Sequence, residues 1–191
     1  FGENWTLTPG PRLELGKDTT GDGIPDLVGI GPVSVAAQDA NDDGVADSLL
    51  VANSRSNNVF LLPSLGGGFF DDPNPTVFDT GLSPQQILVG AFDGIPGLDM
   101  VTINAGSNDL TFFSGFFTPL AVSFSIPTGG AGPVAALGGD FNRDGLSDLF
   151  VAHNSDGVIS VLLGQDSGPS FQAFRTLADL PHPTALVLAN L

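Results

Sequence analysis

No cysteine occurs in the chain, so no disulfide framework can be drawn and the redox compartment is not readable from thiols. Basic residues are almost as scarce: five Lys and Arg stand against 21 Asp and Glu, a formal net charge of −16 over 191 residues. Binding to a polyphosphate needs clustered cations, so nucleic acid is excluded as a partner. Docking on an anionic membrane surface is disfavoured for the same reason. No apolar run approaches the ~20 residues that a membrane-spanning helix requires, so no membrane insertion is expected. The chain begins with Phe and shows no charged-then-apolar leader, so any signal peptide is expected to be absent from this segment. Tyr is absent while Phe occurs 15 times, and only two His, His153 and His182, are present. Neither a Gly-Xaa-Ser-Xaa-Gly elbow nor a phosphate loop with its Lys is found, so serine hydrolase and nucleotide chemistry have no visible machinery.

What is present is acidic and periodic. Asp140-Phe-Asn-Arg-Asp-Gly-Leu-Ser-Asp148 places side-chain oxygens at positions 1, 3, 5 and 9, with Gly at position 6 and a main-chain carbonyl to spare at position 7. Hard cations such as Ca²⁺ take six to eight oxygens in this kind of turn. The pattern recurs as Asp39-Ala-Asn-Asp-Asp-Gly-Val-Ala-Asp47 and as Asp18-Thr-Thr-Gly-Asp-Gly-Ile-Pro-Asp26. The ligand sets expected are therefore Asp140, Asn142, Asp144, Leu146 and Asp148; Asp39, Asn41, Asp43, Val45 and Asp47; and Asp18, Thr20, Asp22, Ile24 and Asp26, with Val45, Ile24 and Leu146 offering carbonyls. Ten of the 21 acidic residues lie in these loops, and three Ca²⁺ would bring the formal charge from −16 to −10. A fourth stretch, Gly90-Ala-Phe-Asp-Gly-Ile-Pro-Gly-Leu-Asp99, keeps only Asp93 and Asp99, and is expected to hold metal weakly or not at all.

A repeat of about 50 residues runs beneath the loops. Asn104-Ala-Gly-Ser-Asn108 stands 51 residues after Asn53-Ser-Arg-Ser-Asn57 and 50 before Asn154-Ser-Asp-Gly157, each between two short apolar runs. Two further runs follow each turn, the last of them after a Pro (Pro84, Pro133, Pro183). No segment carries a 3.6-residue apolar period, so helix should be close to absent. Four strands per ~50 residues is the size of a propeller blade. The expectation is an all-β, propeller-like array, with a divergent element over residues 1–38 and units over about 39–90, 91–139 and 140–191, the last ending on a strand at Ala185-Leu-Val-Leu-Ala189. A β-sandwich with recurrent turns is the alternative.

With loop, strand and turn in this order, residues 18–191 resemble the FG-GAP and VCBS repeats of bacterial surface proteins and the calcium-binding blades of integrin α-subunits. The resemblance rests most on Asp39, Asn41, Asp43 and Asp47 with Leu50-Val-Ala-Asn53, and on Asp140, Asn142, Asp144 and Asp148 with Phe150-Val-Ala-His-Asn154. It implies a β-propeller with one Ca²⁺ per intact loop, on a secreted or cell-surface protein. The function expected is a non-enzymatic, calcium-binding repeat domain with a structural, adhesive or self-assembling role, its partners being further copies, surface proteins or glycans. A carbohydrate-binding module, or the accessory module of a secreted enzyme, is the alternative, and Trp5, Phe69-Phe70 and Phe116-Phe117 are the residues that could form its platform. A third reading, hydrolysis by loop aspartates with the metal, needs water at the ion.

Overall fold

The computed structural model describes residues 16–17, 27–39, 43–118, 122–165, 170–177 and 180–188. The first acidic loop, Asp18 to Asp26, together with Trp5 and Asn41, lies outside them. Fifteen strands follow in chain order: β1 Gly16–Lys17, β2 Leu27–Val28, β3 Pro32–Gln38, β4 Ser48–Asn53, β5 Asn58–Gly66, β6 Phe69–Phe70, β7 Thr76–Asp79, β8 Pro84–Gly90, β9 Asp99–Asn104, β10 Asp109–Ser114, β11 Val122–Pro127, β12 Pro133–Gly139, β13 Asp148–His153, β14 Val158–Gly164 and β15 Phe171–Leu177. The described residues contain no helix, and hence none long and apolar enough to cross a membrane.

The strands form open antiparallel sheets in meander order, so the chain is an all-β, propeller-like array. Blade 1 pairs β3, β4 and β5, with β7 on one half of β5 and the short β6 on the other. Blade 2 runs β8-β9-β10-β11 and blade 3 runs β12-β13-β14-β15. The sheets span 32–79, 84–127 and 133–177, a different phase from the repeat units read at 39, 91 and 140. The apolar runs after Pro84 and Pro133, each taken as the last strand of one unit, are the first strands of the next sheets. Pro fits there because the first strand of a blade has one unpaired edge, where a missing N–H costs little.

The second strands are buried on both faces: all six residues of β9 are buried, and Leu50, Ala52, Leu149 and Val151 are buried in β4 and β13. That is why they read as unbroken apolar runs instead of alternating. Between blades 1 and 2 lie Leu50, Ala52, Val59 and Leu61 against Ile87, Met100, Phe113 and Phe116. Between blades 2 and 3, Val101, Ile103, Leu110 and Phe112 meet Ala136, Leu149, Val151 and Leu162. Phenylalanine rings fill these interfaces edge to face, Phe78 on Phe113 at 5.5 Å and Phe112 on Phe171 at 5.9 Å. Such pairs add packing energy without a hydroxyl that would need a partner.

Polar clasps repeat at each junction. Ser34 Oγ accepts from Ile87 N at 3.1 Å, and the Gln86 amide takes both Ala136 N (2.7 Å) and Ala136 O (3.1 Å). The turn residues Asn57 and Asn108, both at positive φ (57° and 58°), accept from Ser83 N and Gly132 N at 2.8 and 2.7 Å. Asn tolerates this left-handed conformation and carries an acceptor. Gly157, at φ 71°, holds the same turn position in blade 3 without a side chain.

Of the strand expected at Ala185–Ala189, residues 185–188 are described and carry no strand, and Ala189 lies outside the described residues. Residues 183–188 have no ladder partner among the described residues, and Val187 and Leu188 are 87% and 71% exposed. The segment has the apolar pattern of a strand, but no described residue pairs with it.

Candidate metal loops

Each acidic loop joins the first and second strands of its blade. In blade 3, Asp140 Oδ1 accepts from the N–H groups of Arg143 (2.7 Å) and Asp144 (3.1 Å), and Oδ2 from Gly145 (3.0 Å). Asp144 Oδ1 accepts from Leu146 N at 2.9 Å, and Asn142 Nδ2 donates to Asp144 Oδ2 at 2.8 Å. Gly145, at φ 91°, makes the sharp turn that only glycine adopts without cost. Asp140, Asn142 and Asp144 are exposed, and a hollow of about 360 Å³ lined by Asp144, Leu146, Gly164 and Gln165 leaves room beside them for a hydrated ion. Blade 1 repeats the pattern: Asp39 accepts from Asp43 N (3.2 Å) and Gly44 N (2.7 Å), and Asp43 accepts from Val45 N (2.8 Å).

Asp148 behaves differently from the other members of its loop. It is fully buried, Oδ2 accepts from Phe141 N (2.9 Å) and Asn142 N (3.3 Å), and Oδ1 accepts from Gly164 N on β14 (3.0 Å). Asp99 makes the same three bonds, from Phe92 N (2.8 Å), Asp93 N (3.2 Å) and Gly115 N (3.0 Å). This fixes the alignment of the degenerate loop, with Ala91 at position 1 and Ile95 at position 5. Burial raises the Asp99 carboxyl above the ordinary carboxylate range and the Asp93 charge adds to this, while the three N–H groups pull it back down.

The corresponding register position in blade 1 is Ser48. Gly139 pairs with Asp148 and Gly90 with Asp99, but Gln38 pairs with Ser48, because this loop is one residue longer. Asp47 sits one step earlier, partly exposed, with its main chain bonded to Gln38 O and Ser64 N, and the buried Ser48 hydroxyl has no hydrogen-bond partner. Position 9 of a repeating loop is thus not one place in space. Among the described residues, no three His, Cys, Asp or Glu side chains converge as a ready-made metal cage. The exposed donors are all hard oxygens, which is the chemistry that Ca²⁺ takes.

The histidines have separate structural roles. His153 is buried, with Nε2 3.0 Å from Ser160 Oγ, and Nδ1 of His182 donates to Asn154 O at 2.8 Å. Asn53 and Asn104 occupy the His153 position in blades 1 and 2. Burial pushes the His153 pKa below its ordinary 6.5, against the opposing pull of Asp156 and the Thr128 backbone. The unfolded chain therefore takes up a proton near pH 6.5 that the folded chain refuses, and stability falls as pH drops below that value. His153→Asn should remove that part of the loss, seen as a smaller fall in melting temperature between pH 7.5 and 5.

Each Phe pair divides. Phe69 and Phe117 are exposed, whereas Phe70 packs on Val51, Phe60 and Leu62, and Phe116 joins the core between blades 1 and 2. Adjacent residues on a strand or tight turn cannot both face inward.

No family model matches the chain, and no curated protein matches it. Solved structures do share its fold. A functionally unknown protein from Desulfotomaculum acetoxidans superposes with a TM-score of 0.57 and 17% identity, over 84% of this chain and 47% of that one. A periplasmic gluconolactonase from Pseudomonas aeruginosa gives 0.58 and 16%, over 84% and 43%. The chain spans less than half the length of either. The expectation that it is not an enzyme is corrected by the second likeness, since this architecture carries an enzyme there.

Proposed function

We propose that this chain is a segment of a calcium-binding β-propeller of the FG-GAP or VCBS kind, acting outside the cytoplasm in a structural, adhesive or self-assembling role. One observation carries the reading: the loop of blade 3 alternates Asp140, Asn142 and Asp144 along an exposed turn closed by Gly145, and blade 1 repeats the turn through Asp39 and Asp43. Asp140, Asn142, Asp144 and the Leu146 carbonyl would hold the ion in blade 3. Asp39, Asn41, Asp43, the Val45 carbonyl and Asp47 would do so in blade 1, and Asp18, Thr20, Asp22, Ile24 and Asp26 in the first loop. Bound Ca²⁺ supplies compensating charge and a cross-link within the turn. The net charge of −16 makes that compensation valuable. An extracellular setting, where Ca²⁺ is abundant, suits loops with this donor set, whose affinities in extracellular modules lie around 10⁻⁴–10⁻³ M.

Calorimetric titration with millimolar Ca²⁺, paired with thermal melting in EDTA, tests this. The expected result is two to three ions per chain and a lower melting temperature in EDTA; at 100 times the dissociation constant each ion adds about 2.7 kcal/mol. Asp140→Asn combined with Asp144→Asn should remove one ion. Absence of binding heat, with melting unaffected by EDTA, would refute the reading.

A further inference from the structure

We infer that the buried aspartate ending the loop in blades 2 and 3, Asp99 and Asp148, is a backbone clamp and not a calcium ligand, and that blade 2 closes its loop without any ion. The contrast with the other loops rests on the calcium reading above; the clamp itself does not.

The geometry is the same in both blades and independent of the residues around it. One carboxylate oxygen collects two successive N–H groups at the start of the loop, and the other collects the N–H at the end of the third strand: Phe92, Asp93 and Gly115 in blade 2, Phe141, Asn142 and Gly164 in blade 3. Three charge-assisted bonds tie the loop, the second strand and the third strand at one point. Asp99 and Asp148 are buried whereas Asp140 and Asp144 are exposed, and among the described residues no three acidic side chains converge, so the clamp carboxylates stand apart from the exposed turn.

Blade 2 goes further. Asp93, at position 3, is itself buried, and its Oδ1 accepts from Ile95 N at 2.8 Å while Oδ2 accepts from Ser114 Oγ at 2.6 Å. Two neighbouring buried carboxylates thus receive five donors. Ser114 is specific to this blade: the register puts Pro63 at the same place in blade 1 and Leu163 in blade 3, and neither side chain can donate a hydrogen bond. The loop that lost its ligands at positions 1 and 5 gained a hydroxyl aimed at the carboxylate that remained. The loop of blade 2 is therefore more self-sufficient than that of blade 3.

The test uses the full chain and four variants, Asp99→Asn, Asp148→Asn, Ser114→Ala and Asp144→Asn, each measured in Ca²⁺ and in EDTA by melting, ion count and amide exchange. Expected are equal losses of melting temperature in both media, with no change in ion count, for the first three. Asp144→Asn should lose one ion and melt lower in Ca²⁺ alone. In the parent chain, the amides of Phe92, Gly115, Phe141 and Gly164 should stay protected in EDTA. A lower ion count in Asp99→Asn or Asp148→Asn would overturn the inference, as would a Ser114→Ala effect confined to EDTA, or free exchange of the four amides in EDTA. If either Asp→Asn chain fails to fold, Ser114→Ala and the parent amides still decide. Should no Ca²⁺ bind at all, the proposed function falls, and the four amides judge the clamp separately.

Discussion

Phe112→Ala is expected to destabilise the chain by about 3–5 kcal/mol, the usual cost of emptying a large buried aromatic site. Phe112 is fully buried and meets Phe92 at 6.4 Å and Phe171 at 5.9 Å, edge to face in both cases. It stands on β10 of blade 2, while Phe171 begins β15 of blade 3, so the ring joins two sheets that share no hydrogen-bonded ladder. The sheets on either side are each held by their own ladders, and cannot shift toward the void without breaking register. Chemical denaturation should show the loss as a lower midpoint, and a second, earlier transition for blade 3 would report its release from blade 2. A loss below 1 kcal/mol would mean that the interface repacks, contrary to the jigsaw packing described.

Gly157→Ala should cost about 2–4 kcal/mol, combining left-handed strain of ~1–2 kcal/mol with the overpacking penalty of a methyl in a filled space. Gly157 has φ 71°, and an added Cβ would stand 2.3 Å from the Leu180 carbonyl oxygen. Repeat logic predicts the reverse for Gly157→Asn, because Asn57 and Asn108 hold the same turn and each clasps the next blade. In the tertiary structure the segment after blade 3 returns across the turn, with Leu180 N bonded to Gly157 O, and fills the space that an Asn would need. Both variants are therefore expected to melt below the parent, and a gain for Gly157→Asn would show that this segment yields readily.

Strand identity was legible in the sequence because it depends on local features. Apolar runs of four to six residues between Asn- and Gly-rich turns can only be short buried strands, and their spacing gave four per repeat. The phase of the sheets was not legible. A run such as Gln86-Ile-Leu-Val89 is equally apolar whether it ends one blade or begins the next; what decides is that β8 pairs with β9 while β7 pairs with β5. Ala185–Leu188 has the composition of a strand and has no ladder partner among the described residues, since a strand is defined by its neighbour. The aromatic pairs follow the same rule: alternation sends neighbouring rings to opposite faces, but whether both are buried, as in Phe112 and Phe113, or one is exposed, as in Phe69 and Phe117, depends on what packs on each face.

The loops divide along the same line. Their oxygen spacing, the turn glycines and the degeneracy of the stretch from Ala91 to Asp99 follow from residue order alone, because a nine-residue turn brings alternate side chains together whatever surrounds it. The distinction between an exposed candidate ligand and a buried clamp could not be read in this way. Asp144 and Asp148 are identical in chemistry and four residues apart, yet one faces solvent and the other accepts N–H groups from two segments, one of them 16 residues downstream. Nor could the displacement of Asp47 by Ser48 be foreseen, since one additional loop residue changes which side chain enters the sheet and leaves the motif intact. Sequence by itself determined that this is an acidic, all-β repeat protein with oxygen-rich turns, because those properties belong to single segments and their periodicity. Which carboxylates are exposed, and which are buried against distant N–H donors, was decided only by tertiary structure, because burial and long-range hydrogen bonds are properties of the assembled sheets.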